Sequence, residues 1–300
     1  MSKQTEFNIE AFNPSEFSVL GSGLWGDVID LGDGSVLKLA RQSCAGIGDG
    51  RVKIAREYEI LREIESAGRS EELLVPKALG WGDIPANTKA ASSGCSLWLR
   101  ITRIPGSPYK VAQLARLENT ELDRIGAEIG LALARLHIGF RQIIKLPPES
   151  IFESVYHAAV NDEEVLVLIE KVEKALSRTS SQILLAPIHG DFNISNLLFE
   201  QGRLTGIVDF AEARSLFPEK DVSDLLKEVP ALRPSLVAAY QEGSGTVLFP
   251  ERITLGLAVN GVFGYLISKR LGEEGGAQRQ LNDLRSIIEA KSEAKSWGGL

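Results

Sequence analysis

Three oxygen-bearing side chains stand at spacings that could bring them to one metal ion. Residues 187–199 read Pro-Ile-His-Gly-Asp-Phe-Asn-Ile-Ser-Asn-Leu-Leu-Phe, and residues 204–210 read Leu-Thr-Gly-Ile-Val-Asp-Phe. Taken singly, Asp191, Asn196 and Asp209 are ordinary turn residues. Their setting adds to that. Two apolar runs, 197–199 and 204–208, flank Glu200-Gln-Gly202, which is the signature of a β-hairpin. Antiparallel pairing would place Asn196, just before the first strand, beside Asp209, just after the second, because neighbouring strands lie roughly 5 Å apart. With Asp191 on the loop leading in, two carboxylates and an amide oxygen would form a hard-oxygen site. Mg²⁺ suits such a site, with water and phosphate completing its shell.

A second candidate lies near the N-terminus. Gly21-Ser22-Gly23-Leu24-Trp25-Gly26-Asp27-Val28 fits G-x-G-x-x-G-x-V, a loop whose glycines let backbone N–H groups approach phosphates without an intervening Cβ. The dinucleotide-binding version of such a loop opens a helix. Here 17–20 and 27–31 read as strands on either side, which disfavours a dehydrogenase. After the turn Gly32-Asp-Gly34, a third strand over 35–39 carries Lys38 between Leu37 and Leu39, so Lys38 points to the opposite face from both. A helix follows over 52–64, with Ile54, Tyr58, Leu61 and Ile64 at helical spacing and Glu57, Glu59, Glu63 and Glu65 as its acids.

Together these stretches resemble the aminoglycoside phosphotransferase and choline kinase family, small-molecule kinases built on the protein-kinase fold. His189-Gly-Asp191, four residues, Asn196 and then Asp209-Phe210 carry the resemblance, with Gly190 where protein kinases have arginine and Ala211 where they have glycine. The resemblance implies an α+β, two-lobed fold: a small antiparallel-sheet lobe over 1–104 that binds nucleotide and a larger, mainly helical lobe over 105–300 for catalysis and substrate. It implies Asp191 as catalytic base, Asn196 and Asp209 as Mg²⁺ ligands, and His189 as a brace of the loop. Nucleotide, ATP or GTP, would meet Gly21, Ser22, Gly23, Gly26 and Lys38. Glu57 would hold Lys38, with Glu59 as the competing choice. The run 97–104 would be a fifth strand entering the hinge, and adenine would bond backbone groups near Thr102 to Ile104.

The same comparison organises the remainder. Residues 75–81 lead into a fourth strand, and 83–94 read as a polar hairpin loop. A helical stripe of Leu122, Ile125, Ile129, Leu133 and Leu136 gives a central helix over 121–137, ending at His137, which is read as structural. Pro147-Pro148 breaks the chain. Helices over 149–160 and 162–177 would help shape the acceptor pocket, and the acids of Asn161-Asp-Glu-Glu164 suit a helix N-terminus. Residues 218–225 open another helix, capped by Asp221 or Ser223, with Asp221 supporting the loop. The stretches 231–241, 251–271 and 277–295 read as helical, and Phe263, Tyr265 and Trp297 are assigned to core packing.

Composition narrows the function classes. A net charge of −7 argues against a general nucleic-acid binder and suits a cationic small molecule. Two cysteines, Cys44 and Cys95, make neither a disulfide framework nor a zinc pair. Residues 1–10 lack the apolar core of a signal peptide, and no apolar run reaches the roughly 18 residues of a membrane helix. The expectation is a cytoplasmic enzyme without membrane or obligate protein partners that phosphorylates a small hydroxyl compound. An aminoglycoside or related antibiotic comes first, with homoserine, choline, a sugar amine or methylthioribose as alternatives. A nucleotide-binding pseudokinase module is the competing class, and a protein substrate is disfavoured by the absence of an Ala-Pro-Glu segment after Asp209.

Overall fold

A central strand buried on both faces organises the first part of the chain. In the computed structural model, which describes residues 7–23, 25–41, 49–144, 162–179 and 185–293, β3 (Ser35–Arg41) is buried from Ser35 to Ala40. It pairs antiparallel with β2 (Gly26–Asp30) and β5 (Cys95–Thr102). With β1 (Ser18–Ser22) and β4 (Ala78–Asp83) outermost, the sheet runs β1-β2-β3-β5-β4, antiparallel throughout. Leu37 and Leu39 join Phe12, Ile29, Ile84 and Cys95 in one apolar cluster. Helix α1 (Gly50–Ser66) is N-capped by Asp49, whose side chain accepts from Arg51 N–H. Its buried stripe is Ile54, Glu57, Leu61 and Ile64, while Glu59 is exposed. Tyr58 stacks on Trp81 of β4 at 4.8 Å. The expected polar loop after β4 contains a short helix, α2 (Lys89–Ser92), because Thr88 Oγ1 caps it by accepting from Ala91 N–H.

The chain divides into two units, one of Met1–Ser70 with Val75–Ile104 and one of Glu71–Leu74 with Pro105–Leu300. In the second, α3 (Val111–Leu114) precedes α4 (Asn119–Ile143). The helix runs six residues past the predicted end at His137 because Phe140, fully buried, continues its apolar stripe. Then come α5 (Glu163–Thr179), the strand pairs β6 (Ala186–Ile188) with β9 (Arg214–Leu216) and β7 (Leu197–Glu200) with β8 (Arg203–Ile207), and four helices. These are α6 (Glu219–Glu228), α7 (Arg233–Ser244), α8 (Pro250–Arg270) and α9 (Glu274–Glu293). Helices α5, α8 and α9 share a core that includes Val165, Ile169, Val172, Val259, Tyr265 and Leu284. The acids at the start of α5 serve structure: Asp162 accepts from Val165 N–H and from the Tyr265 hydroxyl, and Glu164 pairs with Arg285.

The β7–β8 hairpin is held at both outer edges. Ser107 pairs with Phe199 through two 3.0 Å backbone hydrogen bonds, and Ile207 N–H donates to Leu74 O at 2.8 Å. Helix α6 starts earlier than predicted, at Glu219, with no side-chain cap. Asp221 is therefore inside the helix, and its carboxylate reaches another segment. Leu24, Cys44, the predicted 149–160 helix with the Pro147-Pro148 break, and Trp297 lie outside the described residues. Among the described residues, no helix is long and apolar enough to cross a membrane.

Candidate active site

The loop between β6 and β7 is built on hydrogen bonds that leave little freedom. Gly190 takes φ +84°, and a Cβ there would sit 2.1 Å from Glu212 O, so no larger residue fits. His189 is fully buried, and its ring is fixed at both nitrogens. Nδ1 accepts from Asp191 N–H at 3.3 Å, which places the proton on Nε2, and Nε2 donates to Val208 O at 3.0 Å. Phe210 packs against the same ring at 4.7 Å. His189 thus ties the loop to the strand end that precedes Asp209.

Asp191 is half-buried, and both of its carboxylate oxygens are engaged. Oδ1 accepts from Asn193 Nδ2 at 2.9 Å, and Oδ2 from Asn196 Nδ2 at 3.1 Å. Asn193 also caps the turn that follows, its Oδ1 accepting from Ser195 N–H at 3.0 Å. Sequence reasoning passed over Asn193. The available signal was Asn two residues before Ser195, an Asx-turn arrangement.

The hairpin behaves as its pattern predicts. Leu197 stands opposite Ile207, and Val208 N–H donates to Asn196 O at 3.0 Å, one step beyond the ladder. Asp209 follows directly, at φ +69° and ψ +71°. That left-handed conformation is uncommon outside glycine but tolerated by Asp. Both side-chain contacts of Asn196 use Nδ2, so its Oδ1 faces no competing donor among the bonds to this loop. Among the described residues no three His, Cys, Asp or Glu side chains gather as a metal centre. An ion here would rest on the Asp209 carboxylate, the Asn196 amide oxygen and ligands from outside the chain. That donor set is hard and incomplete, and it fits Mg²⁺, which keeps water and phosphate in its shell.

Helix α6 braces the loop from behind. Asp221, fully buried, accepts from His189 N–H and Gly190 N–H at 2.8 Å each, and from His137 Nε2 at 2.9 Å. Burial pushes its carboxyl up, but the hydrogen bond and charge of His137, with His189 and Gly190, outweigh it, and Asp221 lies below the usual carboxylate range. Two turns later on the same face, Glu228 accepts from Ile194 N–H at 3.1 Å. On the same helix, Lys220 and Asp224 form a buried pair at 2.5 Å.

In the first unit, Lys38 Nζ meets Glu57 Oε2 at 2.5 Å, with Glu57 fully buried; exposed Glu59 has no part in it. The glycines differ in purpose. A Cβ on Gly26 would lie 1.9 Å from Leu39 O, so Gly26 is required by the close approach of β2 to β3; Gly21 borders open space. Gly23 N–H closes the β1–β2 turn by donating to Gly26 O at 2.9 Å, and is therefore not free to face a phosphate. Ser22 Oγ is engaged with Asp27. At the end of β5, Thr102 N–H donates to Lys77 O, and Thr102 Oγ1 accepts from Lys77 N–H, both at 2.9 Å. The Thr102 N–H is thereby committed to Lys77. Ile104 is half-buried.

Comparison with known proteins places the chain. Residues 17–253 match the model of the phosphotransferase enzyme family. The chain belongs to that family. It is a phosphotransferase. No curated protein sequence matches this phosphotransferase. Among solved structures, the GDP and kanamycin complex of aminoglycoside phosphotransferase APH(2″)-IIIa is similar at TM-score 0.69 and 15% identity, covering 93% of this chain and 95% of that one. A thermostable mutant of aminoglycoside phosphotransferase APH(4)-Ia, in ternary complex with ADP and hygromycin B, is similar at TM-score 0.61 and 16% identity, covering 92% and 94%. A choline/ethanolamine kinase family protein from Mesorhizobium loti is similar at TM-score 0.65 and 19% identity, covering 91% and 88%. At these identities the likeness is one of fold: the α+β architecture of the kinase-like phosphotransferases, with an antiparallel-sheet unit and a mainly helical one.

Proposed function

We propose that this phosphotransferase moves the γ-phosphoryl group of ATP or GTP to a hydroxyl of a small molecule, with an aminoglycoside or related antibiotic as acceptor. The observation that supports this most is the Asp191 carboxylate, held at both oxygens by Asn193 and Asn196 on a loop anchored to buried Asp221. Phosphoryl transfer relies on positioning and charge neutralisation. The acceptor oxygen bonds to the γ-phosphorus, the bond from that phosphorus to the diphosphate oxygen breaks, and the hydroxyl proton passes to Asp191. Lys38, oriented by Glu57, would pair with the α- and β-phosphates. Asn196 and Asp209 would hold Mg²⁺, which when bound neutralises charge on phosphate oxygens. Nucleoside triphosphates are cytoplasmic reagents, and the reading puts the enzyme in that compartment.

The acceptor class rests on two supports. Structures of the same fold were obtained with kanamycin and hygromycin B, and a net charge of −7 favours polycationic amino sugars. The likeness to a choline/ethanolamine kinase family protein keeps a small amino alcohol as the second reading.

The test is a transfer assay with ATP and GTP against amino sugars, choline, ethanolamine and homoserine, with the phosphorylated oxygen located by NMR. Asp191→Ala should fold, bind nucleotide and lose about 10²–10⁴ in turnover. Full turnover in that variant would remove Asp191 from its role. Nucleotide binding with no transfer to any hydroxyl compound would favour a regulatory module instead.

A further inference from the structure

Lys38 and Arg41 lie three positions apart on β3, with Leu39 and Ala40 between them, so alternation sends their side chains to opposite faces. Lys38 turns to Glu57 on α1. Arg41 turns the other way, onto the turn that joins β1 to β2. Its Nη1 donates to Gly23 O at 2.9 Å, and its Nη2 to Ser22 Oγ at 3.0 Å and Asp27 Oδ1 at 2.8 Å. Ser22 Oγ donates to the same Asp27 oxygen at 2.5 Å, and Arg41 N–H donates to Trp25 O at 3.0 Å. The register agrees with this face: Ser22 pairs with Asp27 and Asp27 with Leu39, two residues before Arg41. One residue of β3 therefore grips the turn at Ser22, Gly23, Trp25 and Asp27.

The grip has an electrostatic consequence. Gly23 is unhindered, since an added Cβ would meet nothing closer than Gly26 O at 4.0 Å, and a glycine backbone moves readily between orientations. A carbonyl oxygen turned toward a phosphate repels it. The guanidinium behind the turn holds the Gly23 carbonyl on the face away from Lys38. Arg41 is itself held in place by Asp27, so the arrangement is a closed set of charge-assisted bonds.

We propose that Arg41, with Asp27 and Ser22, is a positioning latch for nucleotide phosphates: it keeps the Gly23 carbonyl turned away from them and holds the turn in the form that admits them. This rests on the nucleotide-binding reading of the first unit given above. Arg41 touches no phosphate in this scheme. Ser22 contributes through the latch, its hydroxyl being engaged behind the turn.

The test measures binding of a non-hydrolysable triphosphate analogue, and separately of the bare nucleoside, to the full chain and to Arg41→Ala, Arg41→Lys, Asp27→Asn and Lys38→Met, with thermal unfolding of each. Arg41→Ala should bind the triphosphate about tenfold more weakly and the nucleoside unchanged, as expected for loss of charge-assisted hydrogen bonds. Its KM for triphosphate should rise with kcat nearly constant, and Arg41→Lys should recover part of the loss. Should Arg41→Ala fail to fold, Asp27→Asn keeps the side chain's size, drops the charge and should show the same pattern at several-fold. Equal weakening of nucleoside and triphosphate would reduce the network to a structural role and overturn the latch. Unchanged triphosphate binding in Arg41→Ala and Asp27→Asn, with loss in Lys38→Met, would also overturn the latch while the nucleotide reading stands. No effect in Lys38→Met either would bring down both.

Discussion

His137 and Asp221 meet through a 2.9 Å hydrogen bond across 84 residues of chain, and neither side chain is exposed. On its other nitrogen His137 bonds the buried Tyr240 hydroxyl at 2.8 Å, and Asp221 in turn holds the amides of His189 and Gly190. The loop that carries Asp191 is thus tied through α6 and α4 to α7 by bonds that water does not reach, where an unmatched donor is costly.

Replacing Asp221 by Asn tests that connection. An amide cannot accept from both loop N–H groups and from His137, because one of its two ends is a donor. Asp221→Asn should lose roughly 3–5 kcal/mol of stability, the range for breaking a buried pair, and most turnover with it. Urea unfolding with a midpoint equal to that of the parent would count against the network. The pH sign also follows. The folded carboxyl lies below its ordinary value of 3.8, so its contribution is complete above 3.8 and is lost as pH falls through the lower folded value.

Asp224, one turn along the same helix, has the opposite sign. Burial pushes its carboxyl up, Lys220 opposes that, and the charges of Asp221 and Asp191 add to it, leaving it at about 6. Its Oδ2 is buried and accepts no hydrogen bond. A folded value above the unfolded 3.8 means this residue's contribution declines as pH rises from about 4 to about 6 and is level beyond. The difference in unfolding free energy between the parent and Asp224→Asn should therefore change across that window by on the order of 3 kcal/mol. Parallel curves from pH 4 to pH 7 would show that Asp224 does not titrate there.

The β7–β8 hairpin can be improved. Gln201 and Gly202 join Glu200 to Arg203 with φ +50° and +77°, the two positive values of a type I′ turn. Gln is a poor residue at the first of these, and Asn or Gly is the usual occupant. Gln201→Asn should raise stability by about 0.5–1 kcal/mol without altering turnover. A lower melting temperature would mean that the Gln201 side chain makes a contact the turn geometry does not account for.

Much of this is legible in the sequence. Alternation placed Lys38 opposite Leu37 and Leu39, and turn chemistry placed Asn196 beside the end of β8. Among the four acids of α1, Glu57 is the one buried, sharing the stripe of Ile54, Leu61 and Ile64. Other partners are set by the fold. Asp221, expected both to cap its helix and to support the loop, lies inside the helix and holds the His189 and Gly190 amides, the Thr102 N–H goes to Lys77 O, and the Gly23 N–H closes its own turn. Each of these side chains or amides found a partner that the local pattern could not name.

What the sequence by itself determined was the hairpin, the strand faces and the apolar stripes. These follow from periods of 2.0 and 3.6 residues that hold within a few neighbours whatever surrounds them. Only the tertiary structure decided that Asp221 joins His137 to the His189-Gly190 amides, that Asn193 shares Asp191 with Asn196, and that Arg41 reaches back to Gly23. The physical reason is that buried polar groups take whichever partner packing brings within about 3 Å, and the packing of distant elements is a property of the whole core.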